Sequence, residues 1–180
     1  MTISNHFRLL SRYNQWMNGK VYAAALQMGV PALREDRGAF FGSVFGTLNH
    51  IMVADTIWLK RFAAHPRAFR SLQAMRSMPG PDSLRQTLHD DMPALQAARH
   101  SMDAVIIAFA EELTDEDCAS TLSYATMAGQ AFENELGLLV GHFFNHQTHH
   151  RGQVTTLLSQ AGIDVGVTDL VAMAREEGRS

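Results

Sequence analysis

The chain has 180 residues, of which 46% are hydrophobic and 18% charged, with a formal net charge of −3 and a sequence pI near 6.3. This length suits a single domain over residues 1–180, and the composition excludes an intrinsically disordered chain. The slightly acidic balance argues against broad binding of phosphate backbones, so no nucleic-acid partner is expected.

The one cysteine, Cys118, cannot form an intrachain disulfide or a cysteine-based zinc site, and it fits a reducing compartment. Its acidic surroundings, TDEDCAST, are expected to raise the pKa of the thiol and to leave it inert rather than reactive. No apolar run reaches the length of about 18 residues that a membrane span needs, and the N-terminus lacks a secretory pattern. We therefore expect a cytoplasmic protein with no membrane partner.

Hydrophobic residues recur every three to four positions in four segments, a pattern typical of amphipathic helices. The predicted helices run from about 5 to 28, 42 to 64, 82 to 112 and 133 to 160. Ser4 or Asn5 is the expected cap of the first helix. Asp82 or Ser83 is the expected cap of the third helix, in which Pro93 predicts a kink or a restart.

The segment TDEDCASTLSYATMAGQAF, which precedes the fourth predicted helix, has no helical period. It is expected to form an irregular crossover with short extended pieces. The fourth helix is expected to stop at Gly162, and the tail after it to hold one short helix. The sequence therefore predicts an all-α fold, a four-helix bundle with a long crossover between helices 3 and 4 and a short C-terminal helix.

Four of the nine histidines lie in the segment GHFFNHQTHHRGQ of the fourth predicted helix. A helix turns by about 100° per residue, which places His146 and His150 inside the apolar stripe and His142 and His149 at its edge. Two imidazoles at positions i and i+4 on the inner face of a bundle can bind one metal ion. The alternative is a pair of satisfied core histidines, which is the commoner outcome for a single buried histidine.

A third ligand is sought among the other histidines. His50 in the second helix has small or apolar residues one turn away on both sides, so it is expected to face a neighbouring helix. His65 and His100 are expected to be solvated. His6 and His89 stay open as alternative ligands, although neither lies on so buried a helix face as His50. Three imidazoles from two helices would leave a fourth coordination position open, as in catalytic zinc sites.

Supporting residues are harder to assign from the sequence. Gln147 stands where the HExxH motif carries its catalytic glutamate, so a zincin-type protease is disfavoured. Six polar or aromatic residues are candidates for pocket or supporting roles: Asn14, Trp16, Asp55, Tyr124, Gln147 and Arg151. For each of them, the alternative is a packing role or a position on a helix surface.

The segments YNQWMNGKVY, LNHIMVAD and HFFNHQTHHRGQVTTLLSQAG resemble the DinB-like (DinB/YfiT) family of metal-dependent bundle proteins. The resemblance spans residues 5 to 170. It implies a four-helix bundle with a long crossover, often dimeric, that holds a divalent metal ion through His50, His146 and His150. Related bundles include transferases and isomerases that use low-molecular-weight thiols.

Together these features predict a divalent-metal-binding protein whose open fourth position activates water or a low-molecular-weight thiol, as in a metal-dependent transferase or hydrolase. The alternative is a non-enzymatic, stress-related bundle in which the metal is structural. The expected ion is Zn, Ni or Fe, and the expected partners are a second copy of the chain and a small thiol or small electrophilic substrate. The homodimer is also suggested by Phe41, Phe45 and Trp58, which exceed what one bundle core requires.

Overall fold

The computed structural model describes residues 1–178; the last two residues of the predicted single domain lie outside this range. The helices are α1 (Ile3–Ala25), α2 (Val30–Arg34), α3 (Val44–Ala63), α4 (Gln73–Ser77), α5 (Met92–Glu112), α6 (Asp115–Ala119), α7 (Leu136–Gln160) and α8 (Leu170–Glu177). A 3-10 helix at Arg70–Leu72 leads into α4, and the antiparallel strands β1 (Thr121–Ala125) and β2 (Ala131–Glu135) lie between α6 and α7.

The four long helices α1, α3, α5 and α7 form the bundle. α1 packs against α5 and α7, and α7 also packs against α3. α1 and α7 are parallel, because Phe7 stacks on Phe144 near their N-termini and Arg151 donates a hydrogen bond to Asn14 two turns further along. α5 and α7 therefore lie diagonally opposite each other, on either side of α1.

α3 and α5 are also parallel, and they run in the opposite direction to α1 and α7. Arg99 of α5 pairs with Asp55 of α3, and Phe109 stacks on Phe62 further toward both C-termini. The chain from α3 to α5 must therefore return along the whole bundle, and it does so through the 3-10 helix, α4 and the loop 78–91. The connection from α5 to α7 crosses the end of the bundle through α6 and the β-hairpin.

This architecture confirms the predicted helical bundle, with its long crossover between the third and fourth long helices and its short C-terminal helix α8. The extended pieces expected in that crossover are the two strands of the hairpin, paired from Thr121 with Glu135 to Ala125 with Ala131. The return connection between α3 and α5 is a second crossover that the sequence reasoning did not identify.

Three predicted helix starts are wrong, and the third and fourth long helices both begin later than expected. The third long helix begins ten residues later than expected, with Asp91 as its cap accepting a hydrogen bond from the backbone N–H of Ala94 at 2.8 Å. Pro93 lies in the first turn of α5, where its missing N–H is not needed, so it marks a start and not a kink. The fourth helix begins at Leu136, because residues 131–135 pair with β1.

The first helix begins earlier than predicted, with Thr2 as its cap in place of Ser4 or Asn5. The end of α7 is as predicted: Gly162 follows it at a φ of 77°, a conformation that favours glycine. No helix within residues 1–178 is both long enough and apolar enough to span a bilayer.

Candidate metal centre

The antiparallel helices α3 and α7 bring three histidines together inside one end of the bundle. His50 lies in the second turn of α3, and His146 and His150 lie one turn apart in the middle of α7. The Nε2 atom of His146 is 3.1 Å from that of His150 and 3.3 Å from that of His50. Among residues 1–178, these three form the one group of His, Cys, Asp or Glu side chains placed so that it could hold a metal ion.

Hydrogen bonds on the outer side of two imidazoles determine which nitrogen carries the proton. The Nδ1 atom of His50 lies 2.9 Å from the carbonyl oxygen of Leu84, and that of His150 lies 2.8 Å from the side-chain oxygen of Gln153. A carbonyl oxygen only accepts, so Nδ1 is the donor in both rings. In the neutral imidazoles the lone pair is therefore on Nε2, pointing at the centre of the group.

Burial keeps the three rings neutral. The pKa of His50 is lowered to about 4 and that of His146 to about 3; burial is the main cause, and nearby imidazoles contribute to both shifts. The pKa of His150 is also lowered, again chiefly by burial. Neutral imidazole is the form that binds metal ions, so no proton has to be displaced near neutral pH.

The spacing of the donor atoms fits a metal ion. A tetrahedral ion with nitrogen ligands at 2.0 to 2.1 Å requires donors about 3.3 Å apart. The two separations of 3.1 and 3.3 Å are close to this value, and all three donor atoms lie within 4.8 Å of one another. Three neutral imidazoles suit Zn, Ni, Fe or Cu, whereas Mg and Ca prefer oxygen ligands.

An aromatic ring covers one side of the group. Phe41, in the loop before α3, stacks on His50 with ring centroids 3.6 Å apart and contacts His150 edge-on at 5.5 Å. Arg85 from the loop 78–91 lies over Phe41 and donates a hydrogen bond to the carbonyl oxygen of Phe40 at 2.9 Å. Two loops therefore shield this side of the imidazoles from water.

The other side opens into a cleft of about 360 Å³ between α3, α7 and the tip of the β-hairpin. His50 and His146 form one end of the cleft, and Trp58, Arg61 and Met127 line its length. His142 lines it too, with its ring 5.1 Å from that of Trp58. A small molecule entering the cleft would meet the histidine group directly.

A buried ion pair lies deeper in the bundle, behind the histidines. Arg99 is 0% exposed and pairs with Asp55 at 2.5 Å and with Asp103, one turn along α5, at 3.0 Å. Although burial disfavours the charge, the two carboxylates raise the pKa of Arg99 above its usual value. Sequence reasoning missed Arg99 and Asp103; the available signal was two opposite charges four residues apart among the apolar positions of the third helix.

Amides connect this ion pair to α7. Asn14 and Asn18 of α1 donate hydrogen bonds to Asp103 at 3.2 and 2.9 Å. The side-chain oxygen of Asn14 also accepts from Arg151, whose guanidinium lies 3.4 Å from the Gln147 oxygen. Four of the supporting candidates from the sequence thus belong to one buried network, which includes the residues next to His146 and His150 in α7.

The remaining supporting candidates lie outside this network. Trp16 donates a hydrogen bond to Glu176 of α8 at 3.0 Å. Tyr124 of β1 packs on Trp58 and donates to Asn134 at 3.1 Å, at the edge of the hairpin. Neither side chain touches the three histidines.

The other histidines have different surroundings. The prediction that His65 is solvated is wrong: the ring is 6% exposed and lies 2.9 Å from the hydroxyl of Ser120, tying the end of α3 to the end of α6. His100 is exposed, as predicted. His149, which was expected at the edge of the apolar stripe, is exposed too. His6 and His89, which the sequence left open as ligands, are not part of the group of three.

Cys118 is 3% exposed, and the direction predicted for its pKa is confirmed. Burial is the main cause, with Asp115 and Asp117 adding to it, and together they raise the pKa to about 11. The sequence reasoning named the acidic neighbours and missed the larger effect. The thiol lies outside the histidine group.

The fold and this site define a helical-bundle protein with a group of three histidines that could hold a metal ion. The chain belongs to the DinB family, whose profile matches residues 1–179. It is 21% identical over 165 residues to Protein DinB of Bacillus subtilis (strain 168), across 89% of this chain and 88% of that protein. A DinB-like protein from Bacillus cereus ATCC 10987 has a similar crystal structure, with a TM-score of 0.58 and 18% identity over 84% of this chain and 89% of that one.

Proposed function

We propose that His50, His146 and His150 bind one divalent ion, Zn, Ni or Fe, through their Nε2 atoms, and that the protein is a metal-dependent transferase or hydrolase. The observation that carries this proposal is the convergence of three neutral imidazoles, with Nε2 separations of 3.1 and 3.3 Å, at the end of an open cleft. Family membership is compatible with it.

The chemistry follows from the number of ligands. A bound divalent ion would lower the pKa of water or of a small thiol, so that a nucleophile is available near neutral pH. Around it, Leu84 and Gln153 hold two imidazoles in their binding orientation, and Phe41 excludes water from one side. The cleft admits the substrate from the other side.

An enzymatic role is favoured over a purely structural metal by the number of protein ligands and by the cleft. Structural zinc sites usually have four protein ligands and are closed to solvent. Within residues 1–178, no carboxylate or cysteine joins the three histidines. His50 and His146 both line the cleft, so a fourth ligand can come from a substrate.

Elemental analysis of the purified protein tests the site. We expect about one divalent ion per chain, lost in His146→Ala and His150→Ala. His142→Ala and His149→Ala are the matched controls, because they remove imidazoles from the same helix outside the group, and they should keep the metal. Wild-type protein that holds no metal after incubation with each ion would contradict the proposal.

The reaction class is tested with cobalt in place of the native ion. Addition of small thiols should produce thiolate charge-transfer bands in the visible and near-ultraviolet spectrum, and His50→Ala should lack them. A spectrum that responds to no thiol and to no small anion would instead support a closed, structural metal site.

A further inference from the structure

Arg61 lies in the same cleft as the histidine group. It follows His50 by three turns of α3, about 16 Å along the helix axis. Its guanidinium lies over the ring of Trp58 at 4.5 Å and over that of Tyr124 at 5.2 Å. These rings hold the charged group at the wall of the cleft, which therefore has a metal-binding end and a cationic end.

No carboxylate neutralises Arg61. Within the part of the chain that the structure describes, its guanidinium has neither an ion pair nor a hydrogen-bond acceptor, whereas Arg99 has two carboxylates and Arg67 has one. Partial burial lowers the pKa of Arg61, which reflects the cost of removing its charge from water. An anion that enters the cleft would remove that cost and gain charge-assisted hydrogen bonds.

The groove continues past Arg61. A second cavity of about 340 Å³ adjoins the first, and Lys60 and Ser123 contribute to its lining. The residues common to both cavities are Ile57, Arg61, Thr126 and Met127. Among the described residues, no Asp or Glu lines either cavity, so Lys60 and Arg61 are the charged groups of the groove and make it favourable for an anion.

We propose that this groove binds an extended anionic substrate, whose carboxylate or phosphate pairs with Arg61 while its reactive end reaches the three-histidine site. The second half of this statement rests on the proposed function; the anion subsite does not. Ile57, Trp58 and Met127 give the stretch between the two ends an apolar surface, which favours an aliphatic or thioether spacer in the substrate.

Bifunctional probes test the two ends together. In cobalt-loaded protein, a series of ω-mercaptocarboxylates of increasing chain length is compared with the corresponding methyl esters, using the thiolate bands as readout. Arg61→Gln is expected to weaken binding of the best acid by about tenfold or more, and to leave the ester unchanged. Arg175→Gln makes the same charge change on the exposed surface of α8 and should have no effect. Equal affinity of Arg61→Gln and the parent for the acid would overturn the proposal.

A second readout separates this proposal from the metal site. Trp16 and Trp58 are the only tryptophans, so in a Trp16→Phe background the fluorescence reports on Trp58 beside Arg61. Hexanoate and hexyl phosphate are each titrated into metal-free Trp16→Phe protein, once with Arg61 present and once with Arg61→Gln. The anion that quenches Trp58 more strongly shows whether the subsite prefers a carboxylate or a phosphate. Arg61-dependent quenching without any thiolate band would support the anion subsite and contradict the open, thiol-binding position of the metal site. Thiolate bands with no Arg61 dependence in either assay would support the thiol-binding metal site and overturn the anion subsite.

Discussion

Four histidines within nine positions of α7 have distinct surroundings. His146 and His150 face His50 on α3, His142 lines the cleft beside Trp58, and His149 is exposed. Their chemistry differs because an imidazole becomes a good ligand only when its ring is neutral, oriented and close to other donors. At His150 the orientation depends on a single side chain, Gln153, whose amide also donates a hydrogen bond to His149.

Gln153→Ala should therefore weaken metal binding without removing a ligand. Loss of the acceptor for Nδ1 of His150 frees the ring to rotate and to change tautomer, and such changes typically cost about 10-fold to 100-fold in affinity. Competition with a chromophoric chelator measures the change. Thr156→Ala, on the exposed side of the same turn, is the control and should behave as wild type. If both variants bind metal equally well, Gln153 has no orienting role.

For single residues, the sequence predicted the direction of a side chain correctly where that direction depends on helical phase. The inward direction of His146 and His150 follows from a turn of about 100° per residue. His50 could be selected as the third ligand because the residues one turn away from it on α3 are small or apolar. Phe41 and Leu84 could not be assigned, because each reaches the site from a loop. Loop residues have no periodicity, and their positions depend on tertiary contacts that only the folded chain makes.

Among the elements, the long helices were predictable and their boundaries less so. Leu84 and Leu88 are four residues apart and continue the apolar period of α5, although they lie in the loop before the Asp91 cap. Residues 133–135 read as the start of a helix, yet they pair with residues of β1 that lie ten or more positions earlier in the chain. Both errors arise because cap geometry and strand pairing are decided by context outside the local pattern.

Glu112, the last residue of α5, should make stability depend on pH. Its carboxylate accepts the backbone N–H groups of Arg70 and Ser71 at 2.9 Å each, at the start of the 3-10 helix. Although partial burial acts in the opposite direction, these hydrogen bonds lower the pKa of Glu112 below its usual 4.5. The folded state therefore favours the charged form, which contributes stability above pH 4.5 that is lost as the pH falls through the lowered value.

Urea unfolding of wild type and Glu112→Gln at about pH 7 and about pH 3 measures this contribution. The variant should be the less stable protein at the higher pH, and the difference should shrink at the lower one. Glu111→Gln, an exposed neighbour on the same turn, is the control for the loss of one charge. A difference in the free energy of unfolding between wild type and Glu112→Gln that is the same at both pH values would contradict the lowered pKa of Glu112.

In the whole molecule, the buried network joins all four long helices. Asp55 belongs to α3, Arg99 and Asp103 to α5, Asn14 to α1 and Arg151 to α7, so their hydrogen bonds link every helix of the bundle. Removing the central guanidinium would leave two buried carboxylates without their ion-pair partner. Such a change typically costs about 3 to 5 kcal/mol.

Arg99→Met should accordingly lower the free energy of unfolding by about 3 to 5 kcal/mol, measured with urea. The triple variant Asp55→Leu, Arg99→Met, Asp103→Leu removes all three charges and should recover part of this loss, because no carboxylate then remains buried without its partner, although the buried guanidinium of Arg151 loses the two nearby carboxylates. If the triple variant is less stable than the single one, packing and not charge explains the effect of Arg99.

A homodimer stays a prediction. Phe45 is 4% exposed, Phe41 stacks on His50, and Trp58 packs against Tyr124 and His142, so the protomer itself uses the aromatic residues that had suggested an interface. The expectation now rests on the family resemblance alone. Light scattering at micromolar concentration should give about twice the chain mass of 19.9 kDa, and a particle of the chain mass would count against it.

The proposed function requires that three imidazoles hold a metal ion whose fourth position is open to small molecules. X-ray absorption at the edge of the bound metal measures the ligands directly. We expect three imidazole nitrogens at about 2.0 to 2.1 Å and one further light atom, which a sulfur at about 2.3 Å replaces when a small thiol is added. A spectrum without imidazole scattering, or a four-ligand shell that does not change when thiols or anions are added, would contradict it.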